Sequence, residues 1–146
     1  MPLKTIIVLS VVAIIGIAGV FVTTFSDQAD ITTFETEQKS LAMVTVSVPS
    51  ELTPQALIGK TGFDLKCAVC HGRNAEGQNG IAPPLIHKIY EPSHHGDEAF
   101  QRAVKIGVRA HHWRFGNMAP IEGLTRADVG AIIAYVRELQ RANGIN

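Results

Sequence analysis

Two cysteines are all that this 146-residue chain contains, and both lie in one segment, Cys67-Ala68-Val69-Cys70. A structural zinc site built on two cysteine pairs is therefore excluded, because the third and fourth thiolates are missing. A disulfide between residues this close is geometrically poor and would staple almost nothing. Net charge is absent as well. Thirteen basic and thirteen acidic residues cancel, so no global field draws the chain toward nucleic acid, and no nucleic-acid partner is expected. Acidic residues are missing altogether before Asp27, where Lys4 is the only basic one. No internal repeat is visible. A chain of this length holds one ordinary domain plus a targeting segment, not two cores.

What is present begins with an uncharged run of 21 residues from Thr5 to Phe25, mostly Ile, Val, Ala, Leu and Phe. A helix of that length crosses about 30 Å of hydrocarbon. A cleaved signal peptide would have a shorter apolar core and a small-x-small site, where this chain has Asp27. Residues 1–25 are therefore expected to be an uncleaved membrane anchor with one transmembrane helix over 5–25. Lys4 marks the cytoplasmic side, and Asp27, Asp30, Glu35 and Glu37 the outer one. Residues 26–52 are rich in Thr, Ser and acids. Met43–Val48 alternates like a short strand, but Pro49 and Pro54 bracket its end, and an acidic tether over 26–52 is the preferred reading.

From residue 53 to 146 the pattern is helical. Thr53-Pro54 is a hydroxyl N-cap followed by Pro at the first helical position, starting a helix to about Lys66. Arg73 to His95, punctuated by Gly77, Gly80, Pro83, Pro84 and Pro92, is expected to be loop. Asp97 opens a second helix with Phe100, Ala103 and Val104 on its apolar face and Gly107 at its end. Thr125 and Asp128 have the form of a capping box for a third, whose stripe is Val129, Ile132, Ile133, Val136 and Leu139, closed by Gly144. Three short helices and a long loop leave too little side-chain core to stand unaided. Something large and apolar is needed in the middle.

Cys67-Ala68-Val69-Cys70-His71 supplies it. C-x-x-C-H is an attachment motif for haem c: each thiol adds to a porphyrin vinyl group, and His71 stands under the iron. A redox dithiol would want a strand and a βαβ setting, which the pattern lacks. For the sixth iron position, Met118 in Gly116-Asn117-Met118-Ala119-Pro120 is the only methionine beyond the motif. Its thioether would raise the reduction potential and fill the site. His111 and His112 are the rival ligands, and core filling is the alternative use of Met118.

Here the sequence resembles the class I cytochrome c family, from about Thr53 to Leu139. Besides the haem motif and Met118, the family pattern is matched by Gly59 and Phe63 before the cysteines and by Pro83 and Leu85 beyond His71. Tyr135 matches its aromatic in the last helix. The resemblance implies an all-α domain of three main helices around one covalent haem c. It implies that Gly59 permits close crossing of the first and last helices. It also implies that the Pro83 carbonyl accepts a hydrogen bond from His71 Nδ1, and that Met118 is the sixth ligand. Ala119 between Met118 and Pro120 departs from the family's usual Met-Pro, and His111-His112-Trp113-Arg114-Phe115 lies outside the pattern.

Trp113 and Phe115 are expected to pack the haem pocket or its loop, and Arg114 or Arg109 to pair with a haem propionate. His87, His94, His95, His111 and His112 offer imidazoles to copper or zinc at the surface, but consecutive histidines do not share a helix face, and no second metal centre is expected. Between Arg102 and Arg114 lie four basic residues and two histidines without an acid, a candidate docking surface. The expected function is single-electron transfer, not catalysis, to or from membrane-embedded or periplasmic redox proteins of a respiratory chain. The expected place is the outer, periplasmic side of a bacterial inner membrane, where haem-attachment machinery works. The alternative is a haem catalyst or a gas- or peroxide-binding subunit with a labile sixth ligand and His111 or His112 as distal group.

Overall fold

The computed structural model describes residues 41–146. The expected membrane segment over 5–25, and the linker up to residue 40, lie outside the described residues. Among the described residues no helix is long and apolar enough to cross a membrane.

Helix α1, Pro54–Lys66, starts where Thr53 accepts a hydrogen bond from the Ala56 amide, with Pro54 at its first position. Thr53 is held in turn by Glu138, whose carboxylate accepts from its backbone amide and its hydroxyl. The short α2, Ala68–His71, follows directly. The expected loop from 73 to 95 contains a single 3₁₀ turn, Lys88–Tyr90. Helix α3, Asp97–Ile106, stops at Gly107, whose φ of +76° is open to glycine at little cost. Helix α4, Arg126–Ala142, opens with both halves of the Thr125–Asp128 capping box formed and ends before Gly144. The described residues are thus helical, with isolated bridges and no strand of two or more pairs.

α1 and α4 cross backbone to backbone. A Cβ at Gly59 would lie 1.8 Å from the Ala131 carbonyl oxygen. Next to that crossing, Phe63 meets Tyr135 edge to face with ring centroids 5.4 Å apart, a geometry that contributes about 0.5–1.5 kcal/mol beyond burial. Val129, Ile132, Ile133, Val136 and Leu139 are all buried, so the stripe at helical spacing is the inner face of α4. The central cluster has nine buried members: Ala56, Phe63, Ala68, Ala75, Ile86, Ile132, Tyr135, Val136 and Leu139. Three of the nine are alanines, and side chains alone make a thin core.

Residues 41–52 differ from the expected tether. Ala42 bridges Gln78, the amides of Met43 and Val44 share the Glu76 carbonyl, and Val46 and Leu52 pack on the core. Ser47 exchanges two hydrogen bonds with the Asn143 side chain, each 2.8 Å. The compact unit begins at Leu41, twelve residues before the expected boundary at 53. Val46 and Leu52 turn inward while Thr45, Ser47 and Val48 are exposed, so only part of the alternating stretch faces the core.

Candidate functional site

The attachment segment is set by two helix ends. Cys67 caps α1 through its amide, which donates to the Phe63 carbonyl at 2.8 Å, and α2 carries Cys70 and His71 one turn later. The two cysteines form no disulfide with each other; Cys67 is half-buried and Cys70 exposed. Before attachment, burial and then the neighbouring Cys70 push the Cys67 thiol up to about 11.

His71 is the best-defined group. Its Nδ1 lies 2.8 Å from the Pro83 carbonyl oxygen. A carbonyl only accepts, so Nδ1 carries the proton and Nε2 keeps its lone pair. Burial lowers the His71 pKa, partly opposed by the Pro83 bond, and the neutral, ligating form is favoured. The loop that brings Pro83 to the ring is fixed from several directions. The Gly77 amide donates to the His71 carbonyl at 2.7 Å, and the Leu85 amide to Ala75 at 2.9 Å. A Cβ at Gly77, which has φ +74°, would lie 2.4 Å from the Pro84 nitrogen. Gln78 Nε2 donates to the carbonyls of Ala68 and Val69, tying the loop to the short α2.

Met118 sits in a second loop closed by a two-bond bridge: the Val108 and Met118 amides each donate to the other's carbonyl at 2.9 Å. A Cβ at Gly107 would lie 2.5 Å from the Met118 carbonyl, so the glycine that ends α3 also lets this loop fold back. The Asn117 side chain accepts from the Ala110 amide at 2.9 Å. Trp113 lies in the same loop. It stacks on Phe115 at 5.8 Å and meets His87 edge-on at 5.3 Å. Its indole Nε1 is buried and has no hydrogen-bond partner among the described residues. The Tyr90 phenol, pushed up by burial, is drawn partly back by Trp113, but the two do not reach hydrogen-bond geometry. A buried donor left unpaired costs about 1–3 kcal/mol.

These features fit a covalently bound porphyrin. Two cysteine side chains lie a turn apart beside a neutral, half-buried imidazole with one nitrogen available. The side-chain core is thin, and a buried N–H points to an acceptor such as a propionate. Gly59, Phe63 and Tyr135 stand apart from this, at the α1–α4 crossing, although the Tyr135 hydroxyl reaches the Arg73 carbonyl at 3.3 Å. Leu85 packs at the edge of the core, and its carbonyl accepts from Gln140 Nε2 at 2.9 Å. Arg109 and Arg114 are exposed.

The family model for cytochrome c matches residues 56–140. The chain belongs to the cytochrome c family. It therefore carries covalently bound haem c and works by haem-based electron transfer. No curated protein and no solved structure matches the chain.

One important residue of this cytochrome c was not marked by its sequence. Arg137 is buried in α4 with its guanidinium donating to Asp97, to the Tyr90 carbonyl, to Gln140 Oε1 and to the His95 carbonyl, at 2.6–3.0 Å. It also lies over the Phe100 ring at 4.9 Å. The signal was there in outline: Arg137 falls four residues after Ile133, at the edge of the apolar stripe of α4. His111 and His112 are exposed, with ring centroids 4.2 Å apart, and their neighbours are His94 and His95. The His112 pKa is lowered by partial desolvation and by the nearby His111, His95 and His94.

Proposed function

We propose that this cytochrome is a membrane-tethered single-electron carrier in which Cys67 and Cys70 would attach the haem and His71 and Met118 would hold its iron. The observation that carries this reading is the 2.8 Å contact between His71 Nδ1 and the Pro83 carbonyl, which leaves Nε2 as the free ligand beside the two thiols. Haem supplies a ferrous–ferric couple. The chain's own residues do the rest. Pro83 orients the imidazole and raises its basicity. Trp113 Nε1 and the cations Arg109 and Arg114 are the donors available to propionates. Met118 would offer the iron a thioether, a ligand that favours the reduced form. The rival ligands His111 and His112 are exposed and cluster with His94 and His95, which favours Met118.

Two such protein ligands would leave the iron no open position, which suits electron transfer rather than catalysis, and the chain is proposed to perform no reaction of its own. Residues 5–25 are proposed to anchor it, with the haem domain on the periplasmic side of a bacterial inner membrane. Tethering raises its effective concentration toward membrane-embedded or periplasmic redox partners. Met118→His is expected to lower the midpoint potential markedly, and Met118→Ala to open the iron to CO and cyanide. A spectrum and midpoint that move in neither variant would show that another group holds the sixth position.

A further inference from the structure

The surface histidines converge in space in a way their spacing along the chain does not suggest. His94, His95 and His112 each offer a ring nitrogen, and these atoms all lie within 4.8 Å of one another. The ring centroids are 4.7 Å apart for His94 and His95, 5.5 Å for His94 and His112, and 5.3 Å for His95 and His112. The expectation that consecutive histidines diverge holds on a helix, where neighbours are rotated by about 100°. His94 and His95 are not on a helix. They close a turn after Pro92, in which both of their amides donate to the Glu91 carbonyl at 3.0 and 2.8 Å, and there successive side chains can face the same way.

We propose that His94, His95 and His112 form a second metal site, independent of the haem, that takes one divalent cation of the imidazole-binding kind, Zn²⁺ or Cu²⁺. His95 is its fixed ligand. Its Nδ1 donates to the Ile89 carbonyl at 2.6 Å, which leaves the Nε2 lone pair for a cation and sets the ring plane as in many metal-ligating histidines. The backbone of His95 is tied to the core by Arg137, which donates to its carbonyl at 2.6 Å. His94 and His112 are exposed and can adjust. Tetrahedral coordination with metal–nitrogen bonds of about 2.0–2.1 Å places the nitrogens about 3.3 Å apart, a contraction that small side-chain rotations supply.

Three imidazoles without a carboxylate or thiolate suit zinc or copper and not calcium or magnesium. Water completes the shell. His111, whose Nδ1 donates to the Arg109 carbonyl at 2.8 Å, keeps Nε2 as an alternative fourth donor at the rim. A bound cation would join the 91–95 turn to the 108–118 loop, two segments brought together only by the tertiary fold.

The test uses the full haem-loaded chain, titrated with ZnCl₂ and with CuSO₄ by calorimetry, the haem absorbance of every variant serving as the check on folding. One equivalent of metal is expected. His94→Gln and His112→Gln, both at exposed positions, should each weaken it about 100-fold or more, since even residues behind the ligands are worth 10–100-fold. His87→Gln should leave it unchanged. Copper resonance spectra should show three nitrogen couplings, falling to two in either variant. Metal should also slow amide exchange at Val108 and Met118. Several weak equivalents that are insensitive to His94→Gln and His112→Gln would overturn the proposal and mark the binding as scattered surface histidine chemistry.

Discussion

At Gly59 the two longest helices touch through their backbones, and a single methyl group decides whether they can. The Cβ of an alanine there would sit 1.8 Å from the Ala131 carbonyl oxygen, an overlap that no rotamer relieves because both sides are main chain. Gly59→Ala is expected to destabilise the domain by about 3 kcal/mol or more, measured by denaturant unfolding. Gly62 is the internal comparison. Its Cβ would meet the end of the Ile132 side chain at 3.2 Å, which can yield. There the better helix propensity of alanine, about 1 kcal/mol, offsets the crowding, and Gly62→Ala should be close to neutral. His71 belongs to the same scale: one accepted proton on the Pro83 carbonyl settles which ring nitrogen is available to iron.

Among elements, α4 does two jobs. Its apolar face packs on α1, and its buried polar pair, Arg137 and Gln140, holds the irregular 85–97 segment against the helix. Gln140 Nε2 donates to the Leu85 and Tyr90 carbonyls at 2.9 and 3.0 Å. Arg137 adds the Tyr90 and His95 carbonyls and the exposed Asp97. Arg137→Met keeps the packing over Phe100 and removes every donor. Asp97 can rehydrate, but buried carbonyls and Gln140 Oε1 lose a partner, so the expected loss is about 3 kcal/mol. Thermal unfolding measures that loss, and faster amide exchange confined to 85–97 would locate it. The exposed Arg126–Glu98 ion pair between α4 and α3 is worth little by comparison.

On the scale of the whole molecule, the thin core means that haem and fold are one event. A cofactor bound only by the native state stabilises it by mass action. Cys67→Ala combined with Cys70→Ala should abolish the haem-stained band on a denaturing gel and most of the helical circular dichroism. A fully helical, cooperative haem-free protein would contradict this. The molecule also presents Arg102, Lys105, Arg109 and Arg114 at its surface, with Ile106 68% exposed among them. If this face docks redox partners, charge there governs encounter rate more than affinity. The bimolecular electron-transfer rate should then fall as salt rises past the point where the Debye length is about 8 Å. Arg102→Glu with Lys105→Glu should slow transfer at low salt and leave the midpoint potential nearly unchanged. A rate indifferent to both would show that the partner is already in place.

Local signals were legible along the chain. Thr53-Pro54, Gly107 and the Thr125–Asp128 box set the helix ends, because capping acts over three or four residues. The apolar stripe of α4 followed from its 3.6-residue period. The haem-attachment motif is five consecutive residues, and the pairing of His71 with Pro83 was implied by the cytochrome c resemblance. What only the tertiary structure decided depends on contacts between distant parts of the chain. Ser47 meets Asn143 across 96 positions, which turns an apparent tether into part of the domain. Arg137 reaches His95 across 42, so a charge in the core becomes a clamp. His112 comes to His94 and His95 because two loops, each closed by its own backbone bonds, fold to the same place. Periodicity and capping describe one element at a time, and the approach of two irregular loops has no period to read.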